Sequence, residues 1–207
     1  MSLVDIIVIG FKLPKLEATC LSSIVYHTKY PYILTFFDNF NKGYTLTQIW
    51  NKLIKESSAD YICLLNNDTE VTKGWLNKLV ATLEYDPVIG FVGPSTNNCH
   101  SIQNTVRTPE ESEKLNVIQV VKDPISGFCL LFRRKLWEEL GGFDERFELY
   151  GQESDFIDRA NKLGYKSAWR QDAFVWHHGE SSIKKAGIDV EKERQKARDM
   201  YWKTRNG

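Results

Sequence analysis

The chain has 207 residues, 42% of them hydrophobic and 26% charged. That length favours one domain, or one domain with a short appendage, and it buries a core without help from disulfides or a structural metal. Lys plus Arg equals Asp plus Glu at 27 each, which excludes the basic excess of a general nucleic-acid binder.

The four cysteines, Cys20, Cys63, Cys99 and Cys129, are far apart and show no CxxC spacing. Cys63 and Cys129 sit in apolar runs, as reduced buried thiols do, so a zinc site is not expected. No run approaches the roughly 18–20 apolar residues of a membrane span, and no leader opens the chain; the expected setting is a reducing cytoplasm.

In chain order, Ile6 to Ile9 is a β-branched run ending at Gly10, the pattern of a fully buried strand. Leu16, Cys20, Leu21, Ile24 and Val25 follow at helical spacing over about 15–26. Tyr32 to Phe37 reads as a second strand closed by Asp38 and Asn39, Leu46 to Lys55 as a second helix, and Tyr61 to Leu65 as a third buried strand followed at once by Asn66-Asn67-Asp68. Strands alternating with helices at this spacing imply βαβ units and a parallel sheet. Ligands then bind at the carboxyl ends of the strands, where Gly10, Asp38 and Asp68 fall.

A helix over about 75–83 and a short strand at 90–92 come next. Residues 94–123 are polar and irregular, a loop length that is usually functional or mobile. Ser126 to Phe132 reads as a strand, Lys135 to Leu140 as a helix ended by Gly141-Gly142, and Ser154 to Leu163 as a helix stopped by Gly164. A last short strand leads to His177-His178, and from about 189 the chain is a charged helix or tail.

Three segments carry chemistry. Asn66-Asn67-Asp68-Thr69-Glu70 offers oxygen ligands that suit Mg²⁺ or Mn²⁺ beside substrate phosphates, or equally an Asn/Asp turn. The stretch from Gly141 to Phe156 gathers Asp144, Glu145, Glu148, Glu153 and Asp155 at a helix start; these serve either as caps or, for one of them, as a general base facing an acceptor hydroxyl. In Trp176-His177-His178, adjacent side chains diverge on a strand, so at most one histidine joins a given site.

Together these segments resemble family 2 glycosyltransferases of the GT-A fold, particularly the bacterial rhamnosyltransferase-like members, from about Val4 to Ser182. Asn66-Asn67-Asp68 looks like the family's DxD element in its LNND form, Gly142-Phe143-Asp144-Glu145 like its GGFDE segment, and Tyr150 to Phe156 like YGEDxDF. The resemblance implies a single α/β GT-A domain, residues 1–182, with a Rossmann-like, mostly parallel central sheet flanked by helices, and a charged C-terminal helix or tail, residues 183–207. It implies an inverting, metal-dependent transfer from a nucleoside-diphosphate sugar to a hydroxyl of a saccharide or lipid-linked acceptor.

The same resemblance assigns roles. Asp68 would hold Mn²⁺ or Mg²⁺, and His177, with His178 the second choice, would complete the metal or phosphate site. Gly10, Phe11, Asp38, Asn39, Gly43, Asn51, Asn66, Asn67, Asp68 and Gly127 would line the donor pocket, with Gly142, Phe143 and Asp144 on the acceptor side. Glu153 would be the catalytic base, with Asp155 the alternative; Gln152 and Glu153 stand where relatives carry Glu and Asp. The stretch Thr96–Lys122 would order over the donor. Two other readings stay open: a non-catalytic nucleotide-sugar-binding module, and a nucleotidylyltransferase, which the absence of a Gly-rich basic loop after the first strand disfavours. The segment 183–205 is either a solvated helix packed on the domain or a surface for an anionic lipid-linked acceptor, which would place the protein peripherally at the inner face of the membrane.

Overall fold

The computed structural model describes residues 2–115, 117–121, 125–179 and 185–206. Strands β1 (Val4–Gly10), β2 (Tyr32–Asp38) and β3 (Tyr61–Leu65) alternate with helices α1 (Pro14–His27) and α2 (Leu46–Glu56). Each helix starts where local chemistry permits. Proline occupies the first turn of α1, where its missing N–H costs nothing, and Thr45 and Gln48 form a reciprocal capping box on α2. β4 (Thr69–Val71), α3 (Trp75–Tyr85), β5 (Ile89–Ser95), α4 (Pro109–Glu113), β6 (Ile118–Val121), β7 (Cys129–Arg133), α5 (Arg134–Glu139), α6 (Gln152–Lys162), β8 (Lys166–His177) and α7 (Val190–Asn206) follow.

The strands form one sheet in the order β2-β1-β3-β7-β5-β8-β4, with β6 also paired to β8. Strands β1, β2, β3, β5 and β8 run one way, and β7, β4 and β6 run the other. The sheet is thus mostly parallel and flanked by helices. The antiparallel strands matter for the site because β7 and β4 begin at the rim where the parallel strands end. Gly127, Phe128 and Asp68 therefore join the rim from strand starts.

Both faces of the sheet are covered, which is why its strands read as unbroken apolar runs. Alternate residues divide between two cores. Ile6, Val8, Cys63 and Leu65 face Cys20 and Ile24 of α1 and Leu76, Leu79 and Val80 of α3. Ile7, Ile62 and Leu64 face Trp50 and Ile54 of α2 and Phe156 and Ile157 of α6. In the second core Phe91, Phe132, Phe143 and Phe156 meet edge-on or tilted, with centroids 4.3–6.2 Å apart. All four cysteines are free, and Cys20, Cys63 and Cys129 are buried.

The polar stretch 94–123 is more ordered than its composition suggests. It carries α4 and β6, and Gln103, fully buried, donates to the Pro94 carbonyl at 2.8 Å and accepts from the Ser126 N–H at 2.7 Å. Asn116 and Lys122 lie outside the described residues, as do residues 180–184, where the expected boundary between domain and tail falls. No helix among the described residues is long and apolar enough to cross a membrane.

Because Phe156 is fully buried at the centre of the aromatic cluster, Phe156→Ala leaves a cavity that costs about 3–5 kcal/mol. Thermal unfolding is expected to fall by about 10 °C or more; a shift of only a degree or two would mean that the cluster does not anchor α6.

Candidate active site

The rim of the sheet opens into a cavity of about 970 Å³, a size suited to cofactor-like ligands. One wall comes from the exit of β1 and the turn after β3. Glu17, in the first turn of α1, accepts hydrogen bonds from the Phe11 N–H at 2.7 Å, the Leu13 N–H at 3.2 Å and the Asn67 side-chain amide at 3.1 Å. One carboxylate therefore sets the course of the β1–α1 loop and ties it to the Asn-Asn-Asp turn. Thr69 donates to the Asn66 carbonyl at 2.7 Å, and the buried Cys20 thiol lies 3.6 Å from the same oxygen. Burial pushes that thiol up to about 11, so it stays a protonated donor.

The pairing of β4 with β8 sets Thr69 opposite His177, and the His178 N–H donates to the Asp68 carbonyl at 3.0 Å. This register brings the Asp68 carboxylate, only 3% exposed, to 3.4 Å from His177 Nε2. The ring's other nitrogen, Nδ1, lies 2.7 Å from the Asn98 carbonyl, which can only accept, so Nδ1 carries a hydrogen and Nε2 is the nitrogen left to coordinate when the ring is neutral. The Asn66 amide approaches Nε2 at 3.4 Å, and Phe128 stacks on the ring at 5.1 Å and 17°. Asn97 grips the His177 backbone at both ends, accepting from its N–H at 2.9 Å and donating to its carbonyl at 3.3 Å.

A carboxylate and a ring nitrogen thus face each other, the ring held in place by its neighbours, an arrangement that suits ligands of a divalent cation. Adjacent ligands about 2.1 Å from an octahedral ion stand about 3 Å apart, close to the separation seen. Among the described residues no cluster of three or more His, Cys, Asp or Glu forms a full cage. Asp68 and His177 fit an ion whose remaining positions go to substrate oxygens and water, as is usual for Mg²⁺ beside phosphates.

Across the cavity, the start of α6 turns Glu153 and Asp155 into different environments. Glu153 lies against Gly127, where an added Cβ would sit 3.1 Å from its carboxyl carbon. Burial pushes the Glu153 carboxyl above its ordinary 4.5, opposed by hydrogen bonds from its own N–H and that of Gly127. Asp155, two residues on, points away: Arg159 bonds it at 2.8 Å and Arg205 lies at 3.7 Å. Because Gly127 holds Glu153 and the next residue, Phe128, stacks on His177, the carboxyl and the Asp68–His177 pair flank one short piece of backbone.

Phe11, Asn39, Asn66, Asn67, Asp68, Gly127, Glu153 and His177 all line the cavity. Other expected residues stand outside its lining. Gly10 lies beneath Phe36, whose ring an added Cβ would meet at 2.5 Å, and its carbonyl accepts from the Asn39 N–H. Asp38 accepts from the Phe40 N–H at 2.9 Å in an exposed turn, and Gly43 takes φ +72° in the same loop. The Asn51 amide is spent on the Gly142–Glu145 turn, bonding both the N–H and the carbonyl of Phe143 as well as Trp137 and Glu145. Gly142 and Phe143 are part of that packed turn, Phe143 being in the core, and Asp144 is held below the usual carboxylate range by its hydrogen bonds to Arg146. The cavity wall on that side is made instead by Glu148, Leu149 and Tyr150, together with Arg194 of α7. Glu17, Asn97, Phe128 and Arg194 carry no local signal of a role; only their partners reveal one.

Comparisons with known proteins show the family and the fold. The model of glycosyl transferase family 2 matches residues 28–141, more than half of the chain. An N-acetylglucosaminyl-diphospho-decaprenol L-rhamnosyltransferase of Mycobacterium tuberculosis (strain ATCC 25618 / H37Rv) is 37% identical over 144 residues, covering 58% of this chain and 47% of the relative. The O-antigen biosynthesis protein RfbC of Myxococcus xanthus is 27% identical over 221 residues, covering 85% of this chain and 17% of the relative. The chain thus spans less than half the length of these relatives. Among solved structures, GalNAc-T7 with UDP, GalNAc and Mn²⁺ superposes with a TM-score of 0.67 at 13% identity, over 86% of this chain and 44% of that one. The mannosyltransferase PcManGT of Pyrobaculum calidifontis, in complex with GDP-Man and Mn²⁺, gives 0.62 at 17% identity, over 84% and 56%. Both share the GT-A fold with this chain, and by its sequence the chain belongs to glycosyl transferase family 2.

Proposed function

We propose that this chain transfers a sugar, with inversion, from a nucleoside-diphosphate sugar to a hydroxyl of a saccharide or lipid-linked acceptor. The observation that carries the reading is the sharing of one cavity by two unlike sites, the Asp68–His177 pair and the Glu153 carboxyl. The relatives support it: one is named for a diphospho-decaprenol-linked acceptor, and the two solved neighbours hold nucleotide or nucleotide-sugar with Mn²⁺.

In this reading Asp68 and His177 would hold Mn²⁺ or Mg²⁺, which supplies positive charge against a departing diphosphate. Phe11, Asn39 and Tyr44 give the donor's nucleoside an apolar and amide-lined place at the β1 and β2 exits. Glu153 takes the proton of the acceptor hydroxyl as it attacks the anomeric carbon from the side opposite the leaving group. Direct attack by the acceptor makes the transfer a single displacement. Glu153, with no cation paired to it among the described residues, is the carboxylate left to act as base, whereas Asp155 is engaged by Arg159. The raised Glu153 affinity for a proton suits a group that must accept one and return it to water.

The reading extends to the rest of the chain. Residues 1–182 would be the catalytic domain and 183–207 a helical appendage, cytoplasmic and peripheral at the inner membrane face. In α7 Tyr201 bonds Asp158, and Trp202 is 67% exposed.

A panel of UDP-, GDP- and dTDP-sugars, scored for thermal stabilisation and slow hydrolysis with and without Mn²⁺, tests the donor site. One nucleotide class should stabilise the protein only with metal, and Asp68→Ala should abolish that effect; failure of every nucleotide to bind would overturn the reading. Glu153→Gln should lower transfer by about 10²–10⁴-fold while nucleotide stabilisation persists.

The pH dependence has a definite sign. With the folded carboxyl raised, the stability contributed by protonated Glu153 is complete below the ordinary 4.5 and is lost as pH rises through the raised value. Glu153→Gln should therefore be more stable than the native chain at pH 7, with the difference shrinking toward pH 4. The acid limb of kcat/KM should lie above 4.5; a limb at or below that value would remove Glu153 from the role of base.

Asn97→Ala frees the His177 backbone and should weaken Mn²⁺ affinity by about 10–100-fold. Titration of Mn²⁺ followed by electron paramagnetic resonance reads this directly, and unchanged affinity would show that Asn97 does not position the histidine.

A further inference from the structure

We propose that the cavity wall between Tyr150 and α7 is a phosphate subsite for the acceptor, where Arg194 and Gln152 bind the phosphate oxygens next to the accepting sugar. The inference rests on the reading of Glu153 as the acceptor's base.

The wall is built by a close crossing. At Gly151, which takes φ +83°, an added Cβ would lie 3.0 Å from the Phe147 ring and 3.5 Å from the Ala197 Cβ, so α7 passes nearly in contact with the turn that starts α6. Arg194 is about one helical turn before Ala197. The crossing therefore brings its guanidinium over the Tyr150 ring, 5.4 Å from the centroid, and onto the cavity wall. On the other side of Gly151, Gln152 also lines the cavity. It is 2% exposed, and its Nε2 is buried with no hydrogen-bond partner among the described residues. A buried amide donor without a partner is unfavourable, so one on a residue that lines a cavity marks where a ligand oxygen can complete it.

The pair of donors selects the ligand class. A guanidinium is charged at every working pH and presents a fork of N–H groups that matches phosphate, and the neighbouring amide adds a further donor. Gln152 directly precedes Glu153 in the chain and Arg194 lines the same cavity, on the side from which the acceptor hydroxyl approaches in this reading. The donor's diphosphate belongs instead to the Asp68–His177 end, beside Phe128. The subsite is also held in place. Arg205 bridges Asp158 and Asp155 of α6, and Tyr201 donates to Asp158, so the helix bearing Arg194 is fixed to the helix bearing Glu153. The residue at position 152 thereby gains a reason to be Gln, since a glutamate there would face the phosphate with like charge.

The test titrates decyl diphosphate and decyl glucoside into the full chain held with saturating Mn²⁺ and each of UDP, GDP and dTDP, by calorimetry, with the nucleotide's own affinity measured in parallel. The native chain should bind decyl diphosphate in preference to the glucoside. Arg194→Ala should lower diphosphate affinity by about tenfold or more, with partial retention in Arg194→Lys. Gln152→Glu should lower it as well, while Gln152→Leu, which adds no charge, controls for packing. No preference in the native chain, or an unchanged one in Arg194→Ala, overturns the proposal. An equal loss of nucleotide affinity assigns the arginine to the donor and overturns it too. Binding of decyl diphosphate that depends on Arg194 while no nucleotide binds would uphold the subsite and defeat the donor reading instead.

Discussion

The site depends on one short antiparallel pairing, β4 against the end of β8. β4 is only three residues long, yet Thr69 and Val71 are buried and its ends are tied down. The Val71 N–H donates to Ser23 of α1 at 3.0 Å, and Thr72 donates to the Phe174 carbonyl at 2.7 Å. That register sets Asp68 against His177, although 111 residues separate the neighbouring Asn66 from that histidine. Nothing local holds either side chain to the other. Their juxtaposition is a property of the ladder, and Asn97, Asn98 and Phe128 then fix the ring within it.

The opposite wall obeys a different constraint, the divergence of neighbouring positions at a helix start. Residues two apart on a helix point about 200° from one another. Glu153 consequently faces the cavity and Gly127, while Asp155 faces Arg159 and Arg205. The same carboxylate chemistry lies unpaired with any cation among the described residues in one case and forms half of a buried ion pair in the other. Glycine at 127 is part of the device, because any side chain there would press on the Glu153 carboxyl.

The C-terminal helix ties these walls together. It crosses α6 at a glycine, anchors itself on Asp158 and carries Arg194 to the cavity. A charged amphipathic segment that would be solvated in isolation thus becomes a structural wall of the site. The aromatic core on the α2–α6 face of the sheet gives the rigidity this requires, since Phe156, on the buried face of α6, locks the helix whose first turn bears Glu153.

What the sequence determined by itself is what lies within a few residues of itself. The largely apolar runs at 6–9, 32–37 and 61–65, the turn residues that close them at Gly10, Asp38 and Asn66, and the acidic start of α6 are all encoded by local periodicity and turn chemistry. They were enough to read an α/β sheet with a ligand rim, and the order of the three motifs was enough to read the family. The chain's neighbourhoods were decided only in three dimensions. β7 inserts antiparallel between β3 and β5, and the three-residue β4 has too few positions to show a period. Asn51 has the composition of a site residue but is spent bracing the Phe143 turn, whereas Arg194 reads as one charge in a solvated helix but reaches the cavity. The physical reason is the same for both: a side chain's local pattern reports which face it occupies, and the strand order and helix crossings decide what that face meets.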